Sequence, residues 1–186
     1  MKLSMILSQL STGMAGTISI FVLPLVFSLP LGLLIAFGRM SKNRIVSGIF
    51  RLYISLMRGT PLMLQLMVVY FGPFYLFGMN IGKWRFPAII TGFALNYGAY
   101  FAEIYRSGIQ SMPIGQYEAA QILGYTKAQT FFKIILPLSL SGVFSGIIMV
   151  FVPALTSFVI SDLLGGGKVL LIGNVIEQSF MQGKDW

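Results

Sequence analysis

Cysteine and histidine are both absent from this sequence. Disulfides, thiol catalysis and imidazole metal sites are excluded with them. Acids are scarce as well: five Asp and Glu stand against 13 Lys and Arg in 186 residues. So few carboxylates leave little for general acid–base chemistry, and nothing in the chain points to an enzyme. Charged residues make up 10% of the chain and hydrophobic ones 56%, with a mean hydropathy of +0.83. A soluble globule does not carry that ratio. Long uncharged runs place the chain in a bilayer as one all-α domain over 1–186. The net charge of +8 raises nucleic acid as a partner. The basic residues fall mostly between the apolar runs, however, and that distribution orients a membrane protein. The lipid bilayer is the expected surroundings, with no nucleic acid.

The first uncharged run, 3–38, exceeds the roughly 20 residues of one crossing. Its span is placed at 14–37, with 3–13 as an interfacial lead-in. Lys2 alone makes a weak signal-peptide start, and no small-residue cleavage site follows. Pro24 and Pro30 predict kinks. Arg39, Lys42, Arg44, Arg51 and Arg58 then follow with no acid among them, a cytoplasmic signature. Residues 45–57 read as an amphipathic helix lying at the interface. Further spans are expected at 60–82, 86–102 and 134–161, the last interrupted by Pro137 and Pro153, with an outer loop over 162–186. The inner segments then hold eight basic residues and the outer ones five. The bias has the sign expected if 103–133 is cytoplasmic.

That polar interruption has a readable design. Pro113 stands near the start of a short helical pattern, and Gly124 is suited to end it in the left-handed conformation. Thr126 and Gln129 have the spacing of a capping box that opens the next helix. Pro137 marks a kink or junction. Ala119 and Ala120 give the first helix a small, smooth face that lets another surface approach closely.

The pattern Glu118-Ala119-Ala120, three residues, Gly124, nine residues, Ile134, one residue, Leu136-Pro137 resembles the EAA loop of bacterial ABC-importer permeases. The resemblance implies a cytoplasmic coupling helix that docks on a dimer of ATPase subunits. It implies ATP and Mg on that partner and no cofactor on this chain, a second permease as homodimer or heterodimer, and an extracytoplasmic solute-binding protein. It places the chain in the bacterial inner membrane.

Arg58-Gly59-Thr60-Pro61-Leu62 and the series from Asn96 to Arg106 are similar to the polar amino-acid permeases of that superfamily. Within them, Gln65 either lines a path or hydrogen-bonds a neighbouring helix. Asn96, Tyr97 and Tyr100 supply neutral polar groups and aromatic faces. Glu103 and Arg106 lie i,i+3 on one helical face and can pair, so Glu103 is either part of the path or an anchor of the helix end. Residues 143–180, including Pro153-Ala154-Leu155 and Ser161-Asp162-Leu163-Leu164-Gly165-Gly166, instead resemble spermidine/putrescine permeases. Asp162 is the second acid of the candidate path. Two acids, Glu103 and Asp162, beside the neutral groups of Gln65 and Asn96 are thin for a polycation and adequate for one zwitterion, which favours a polar amino acid over a polyamine.

Gly165-Gly166-Gly167-Lys168 is not a phosphate-binding loop, because Asp162 and Val169 occupy the places of its first glycine and its Ser or Thr. Residues 169–180 are too short to cross, and both permease groups continue with a further span, so a fifth helix is expected beyond these four. An ATP-independent secondary transporter or channel is the reading from another class. It would show internal repeats or a buried charge network, and neither is visible.

Overall fold

The computed structural model describes residues 3–80 and 84–156, and every regular element among them is helical. The order is α1 (Leu3–Arg39), α2 (Arg44–Gly59), α3 (Leu62–Phe77), α4 (Arg85–Gln110), α5 (Ile114–Ile122), α6 (Lys127–Thr130), a π-helical turn (Phe131–Ile135) and α7 (Leu136–Thr156). The expected outer loop over 162–186, with Asp162, lies outside the described residues, as do Gly165 to Lys168.

Helix α4 is the axis. Thirteen of its residues are buried, from Ala88 to Tyr105, and α1, α2, α3 and α7 all pack on it. Its closest partner is α1, and the cause is a row of small side chains. Ser28, Gly32 and Ala36 recur every four residues along α1, and Ser28 and Ala36 are fully buried. At Gly32 the α4 backbone comes so near that a Cβ would sit 2.7 Å from the Cβ of Phe101, 3.1 Å from the Gly98 carbonyl oxygen and 3.2 Å from the Ala102 nitrogen. Small residues let apolar helices in a membrane gain dispersion contact where no hydrophobic drive separates helix from lipid. α7 uses the same device on another side of α4. A Cβ on Gly108 would meet that of Ser139 at 2.9 Å, and Gly146 lies against Ile104 and Phe101.

The lead-in over 3–13 is not a separate element, because α1 runs unbroken from Leu3 and carries Pro24 and Pro30 inside it. At 1.5 Å per residue its 37 residues reach about 55 Å, well beyond a hydrocarbon core of about 30 Å. Hydroxyls in apolar helices are satisfied locally: Thr17 Oγ1 donates to the Gly13 carbonyl and Ser139 Oγ to that of Ile135, both at 2.9 Å.

Among the described residues, α1 over Leu10–Arg39 is the one helix long and apolar enough by itself to cross a membrane. The second expected span, 60–82, is filled by α3, and the expected amphipathic helix over 45–57 is α2. The two are bent by 111° at Thr60 and Pro61 and are long and apolar enough to cross only when taken together. The third, α4, is long but too polar for that test, and its burial explains this. A helix surrounded by other helices meets protein, so it carries Asn96, Tyr97, Glu103 and Arg106 without presenting them to lipid. It also continues to Gln110, so the first eight residues of the expected loop, 103–110, are helical.

Gly32→Ala tests the α1–α4 crossing. The new methyl group meets backbone and a Cβ, neither of which can swing away, so the cost is expected at about 1–3 kcal/mol. Gly72→Ala in α3, where nothing lies within 4 Å, is expected to leave stability unchanged or raise it slightly, since alanine is the better helix former. Thermal unfolding in detergent decides, and equal melting temperatures for the two variants would contradict the packing described.

Candidate functional site

Between α4 and α7 the chain leaves the bundle and returns, and the excursion is locally built at every joint. Pro113 precedes α5 with φ −59°, set by its ring. α5 ends in paired bonds, Gly124 N–H to the Gln121 carbonyl and Tyr125 N–H to that of Ala120, both 3.0 Å. Gly124 itself adopts φ +76°, where a side chain would be strained. The Thr126–Gln129 capping box then forms. Gln129 N–H donates to Thr126 Oγ1 at 3.3 Å, and Thr126 N–H donates to Gln129 Oε1 at 2.9 Å.

Pro137 makes its junction one turn ahead of itself. It offers no N–H, and its ring would press on the carbonyl four residues back. The chain widens into the π turn, where the Leu136 N–H donates to the Phe131 carbonyl five residues earlier, and α7 continues through the proline. The rings of Phe131 and Phe37 approach to 5.2 Å, tying the turn to the end of α1.

The excursion leaves apolar side chains uncovered. Ile122 is 86% exposed, and Ile114 and Leu123 are exposed beside it. Glu118 and Ala119 are exposed, while Ala120 is completely buried within the chain. The smooth outward face expected of both alanines therefore belongs to Ala119 alone. Ala120, one helical step of about 100° round from Ala119, faces inward. Ile134 and Leu136 are half-buried at the π turn and Pro137 is exposed.

The residues expected along a path divide into two groups. Asn96, which is buried, and Gln65, which is half-buried, form a knot where α2 breaks from α3. The bend leaves the Met57 carbonyl without its helical donor, and Gln65 Nε2 and Asn96 Nδ2 both donate to it at 2.9 Å. Asn96 Nδ2 also donates to Gln65 Oε1 at 2.8 Å, and Gln65 Nε2 to Thr60 Oγ1 at 2.7 Å. Gln65 thus makes the hydrogen bond to a neighbouring helix that is one of its two expected roles. Tyr97 is buried too, and its hydroxyl has no partner among the described residues.

Tyr100 and Glu103 face open space. They lie between two clefts, one of about 530 Å³ toward α7 and one of about 490 Å³ toward α2, and Arg58 lines both. The Arg58 guanidinium lies 5.2 Å from the centre of the Tyr100 ring. Glu103 accepts from Arg106 at 2.7 and 3.1 Å. The arrangement offers a cation, an aromatic face and a carboxylate side by side. Arg58 is the residue not singled out beforehand for the path. Its signal was its place at the head of Arg-Gly-Thr-Pro, where a helix break turns it toward α4.

Helices that seal their backbone breaks internally while leaving apolar side chains uncovered fit a membrane protein. Residues 28–183 match the family described as the binding-protein-dependent transport system inner membrane component, and the chain belongs to that family. It is 43% identical over 129 residues to the L-cystine transport system permease protein TcyB of Bacillus subtilis, covering 69% of this chain and 53% of that one. It is 46% identical over 80 residues to the spermidine/putrescine transport system permease protein PotB of Escherichia coli, covering 43% of this chain and 29% of that one. The chain thus spans about half the length of the cystine relative. Among solved structures, the crystal structure of an amino acid ABC transporter with histidines superimposes with a TM-score of 0.76 at 33% identity, covering 97% of this chain and 83% of that one.

Asn96→Leu removes the donor shared by Met57 and Gln65, and Gln65→Leu removes the other half of the knot. Each is expected to cost about 1–3 kcal/mol, the penalty for stranding a buried polar group. The double variant alone strands the Met57 carbonyl, because the two amides serve one acceptor, so it should cost clearly more than the sum of the two. Additive losses in detergent unfolding would dissolve the knot as a unit.

Proposed function

We propose that the chain is the permease subunit of an ATP-driven ABC importer that moves a small polar amino acid across the bacterial inner membrane by alternating access. The observation that carries the reading is α5, a short helix capped at its far end and exposing Ile114, Ile122 and Leu123 away from the bundle. Uncovered apolar residues on a braced polar excursion suit docking to a partner protein. The partner is a dimer of ATPase subunits that holds ATP and Mg. Movement of those subunits reaches α4 through Pro113 and α7 through the π turn, the two ends of the excursion. A second permease completes the pathway, and an extracytoplasmic solute-binding protein delivers the solute.

The substrate class rests on the cleft residues. A zwitterion needs a donor for its carboxylate and an acceptor for its ammonium. Arg58 supplies the first, and Glu103 with the Tyr100 face supplies the second. The amino-acid transport named for the cystine relative and for the solved structure points the same way. A polyamine is the second reading, favoured by the similarity to the spermidine/putrescine permease. Its several positive charges would meet Arg58 and Arg106 in the same clefts, which is unfavourable.

Coupling is tested at exposed positions. Ala120 is buried, so a change there reports on folding; Ala119→Arg and Leu123→Glu alter the outward face alone. In the reconstituted complex both are expected to lower uptake at least about tenfold, on the scale of losing one interface hot spot, while membrane insertion is unchanged. Unimpaired uptake in both variants would remove the docking role.

The solute is tested by competition for uptake with glutamine, arginine, putrescine and spermidine in turn. The amino acids are expected to compete and the polyamines not to. Competition by the polyamines alone reverses the assignment.

A further inference from the structure

The first acid of the chain is Glu103, so the eight basic residues before it have no sequence-local counter-charge. Three of them, Arg44, Arg51 and Arg58, recur every seven residues along α2 and share one stripe of that helix. The adjoining stripe is Ile45, Ile49, Leu52 and Leu56, and all four are more than half exposed. The remaining face, with Ile54 buried and Phe50, Tyr53 and Met57 half-buried, is turned to the bundle. α2 therefore has a packed side, an uncovered apolar side and a basic edge between water and that apolar side.

The basic edge opens on a cavity of about 220 Å³ at the α1–α2 corner, lined by Arg39, Lys42, Arg44 and Arg51 with Ser41 and Ser47. Arg39 is oriented there by donating to Ser47 Oγ at 3.1 Å, while Ser47 Oγ donates back to the Arg39 carbonyl at 2.8 Å. Lys42, Arg44 and Arg51 have no carboxylate partner among the described residues. Cations also crowd the positive end of the α2 dipole, where an acid would be favoured and none stands in the first turn. Such a grouping is unfavourable until an anion enters it. Gly48 lines the same cavity, and a Cβ there would meet nothing within 4 Å.

We infer that this corner binds one anionic phospholipid. Its phosphodiester sits among Lys42, Arg44 and Arg51, and its acyl chains run along Ile45, Ile49 and Leu52. Charge complementarity requires an anion, and the continuous apolar stripe beside it selects one that carries hydrocarbon over a soluble ion. The 111° bend between α2 and α3 sets α2 across the direction of the neighbouring span, which keeps the stripe beside lipid. The site does not depend on which solute is transported or on the ATPase docking.

The test is native mass spectrometry of the full 186-residue chain in neutral detergent, with phosphatidylglycerol and phosphatidylcholine of identical acyl chains. The chain is expected to retain phosphatidylglycerol preferentially, and added salt should erase the preference. Lys42→Gln, Arg44→Gln and Arg51→Gln together should weaken phosphatidylglycerol binding on the order of a hundredfold, about fivefold per cation, with phosphatidylcholine unaffected. Arg44→Lys with Arg51→Lys keeps the charge and should keep the preference, which separates lost charge from lost folding. Gly48→Leu fills the cavity without touching the bundle and should displace the lipid. Equal retention of the two lipids by the unaltered chain, or an unchanged preference in a folded triple-Gln variant, overturns the site. Displacement of the lipid by an equal concentration of inorganic phosphate would assign it to a free anion and overturn the lipid assignment.

Discussion

A single backbone carbonyl, that of Met57, sets much of this architecture. Where a helix breaks inside an apolar environment, the carbonyls of its last turn lose their donors and no water replaces them. Here the break falls at Thr60 and Pro61, and Pro61 has no N–H to offer the Met57 carbonyl four residues back. Gln65 from the far side of the break and Asn96 from α4 close on the exposed oxygen together. Their bonds fix the angle between α2 and α3 and anchor both pieces to the central helix. The bend then determines where Arg58 points and where the apolar stripe of α2 is left uncovered.

The same economy of polar groups governs α4. Because other helices cover most of its length, it can carry amides, hydroxyls and an ion pair that a lipid-facing helix could not. Small residues on α1 and α7 make that cover close. Gly32 against the backbone at Gly98 and Ala102, and Gly108 against Ser139, bring helices near enough for dispersion to substitute for the missing hydrophobic drive. The clefts beside Tyr100 and Glu103 open where this close packing stops. The capped excursion of α5 and α6 begins just beyond them.

Much of this was legible in the chain. The all-α membrane class follows from uncharged runs too long for anything else. The joints of the excursion are local, so residues a few places apart suffice to specify them: the Gly124 stop and the Thr126–Gln129 box need no tertiary partner. The family pattern from Glu118 to Pro137 could be read for the same reason.

What only the tertiary structure decided concerns which partner each polar group meets. Gln65, Asn96, Tyr97, Tyr100 and Glu103 read alike in sequence, as polar residues in or beside apolar helices. Folding sends the first three into packing and leaves the last two in open clefts, and it adds Arg58 from a segment some forty residues away. Ala119 and Ala120 are chemically identical neighbours, and the 100° step between successive helical residues leaves one outside and buries the other. Short-range geometry is written in spacing along the chain, whereas burial depends on which distant surface arrives, and spacing alone does not encode that arrival.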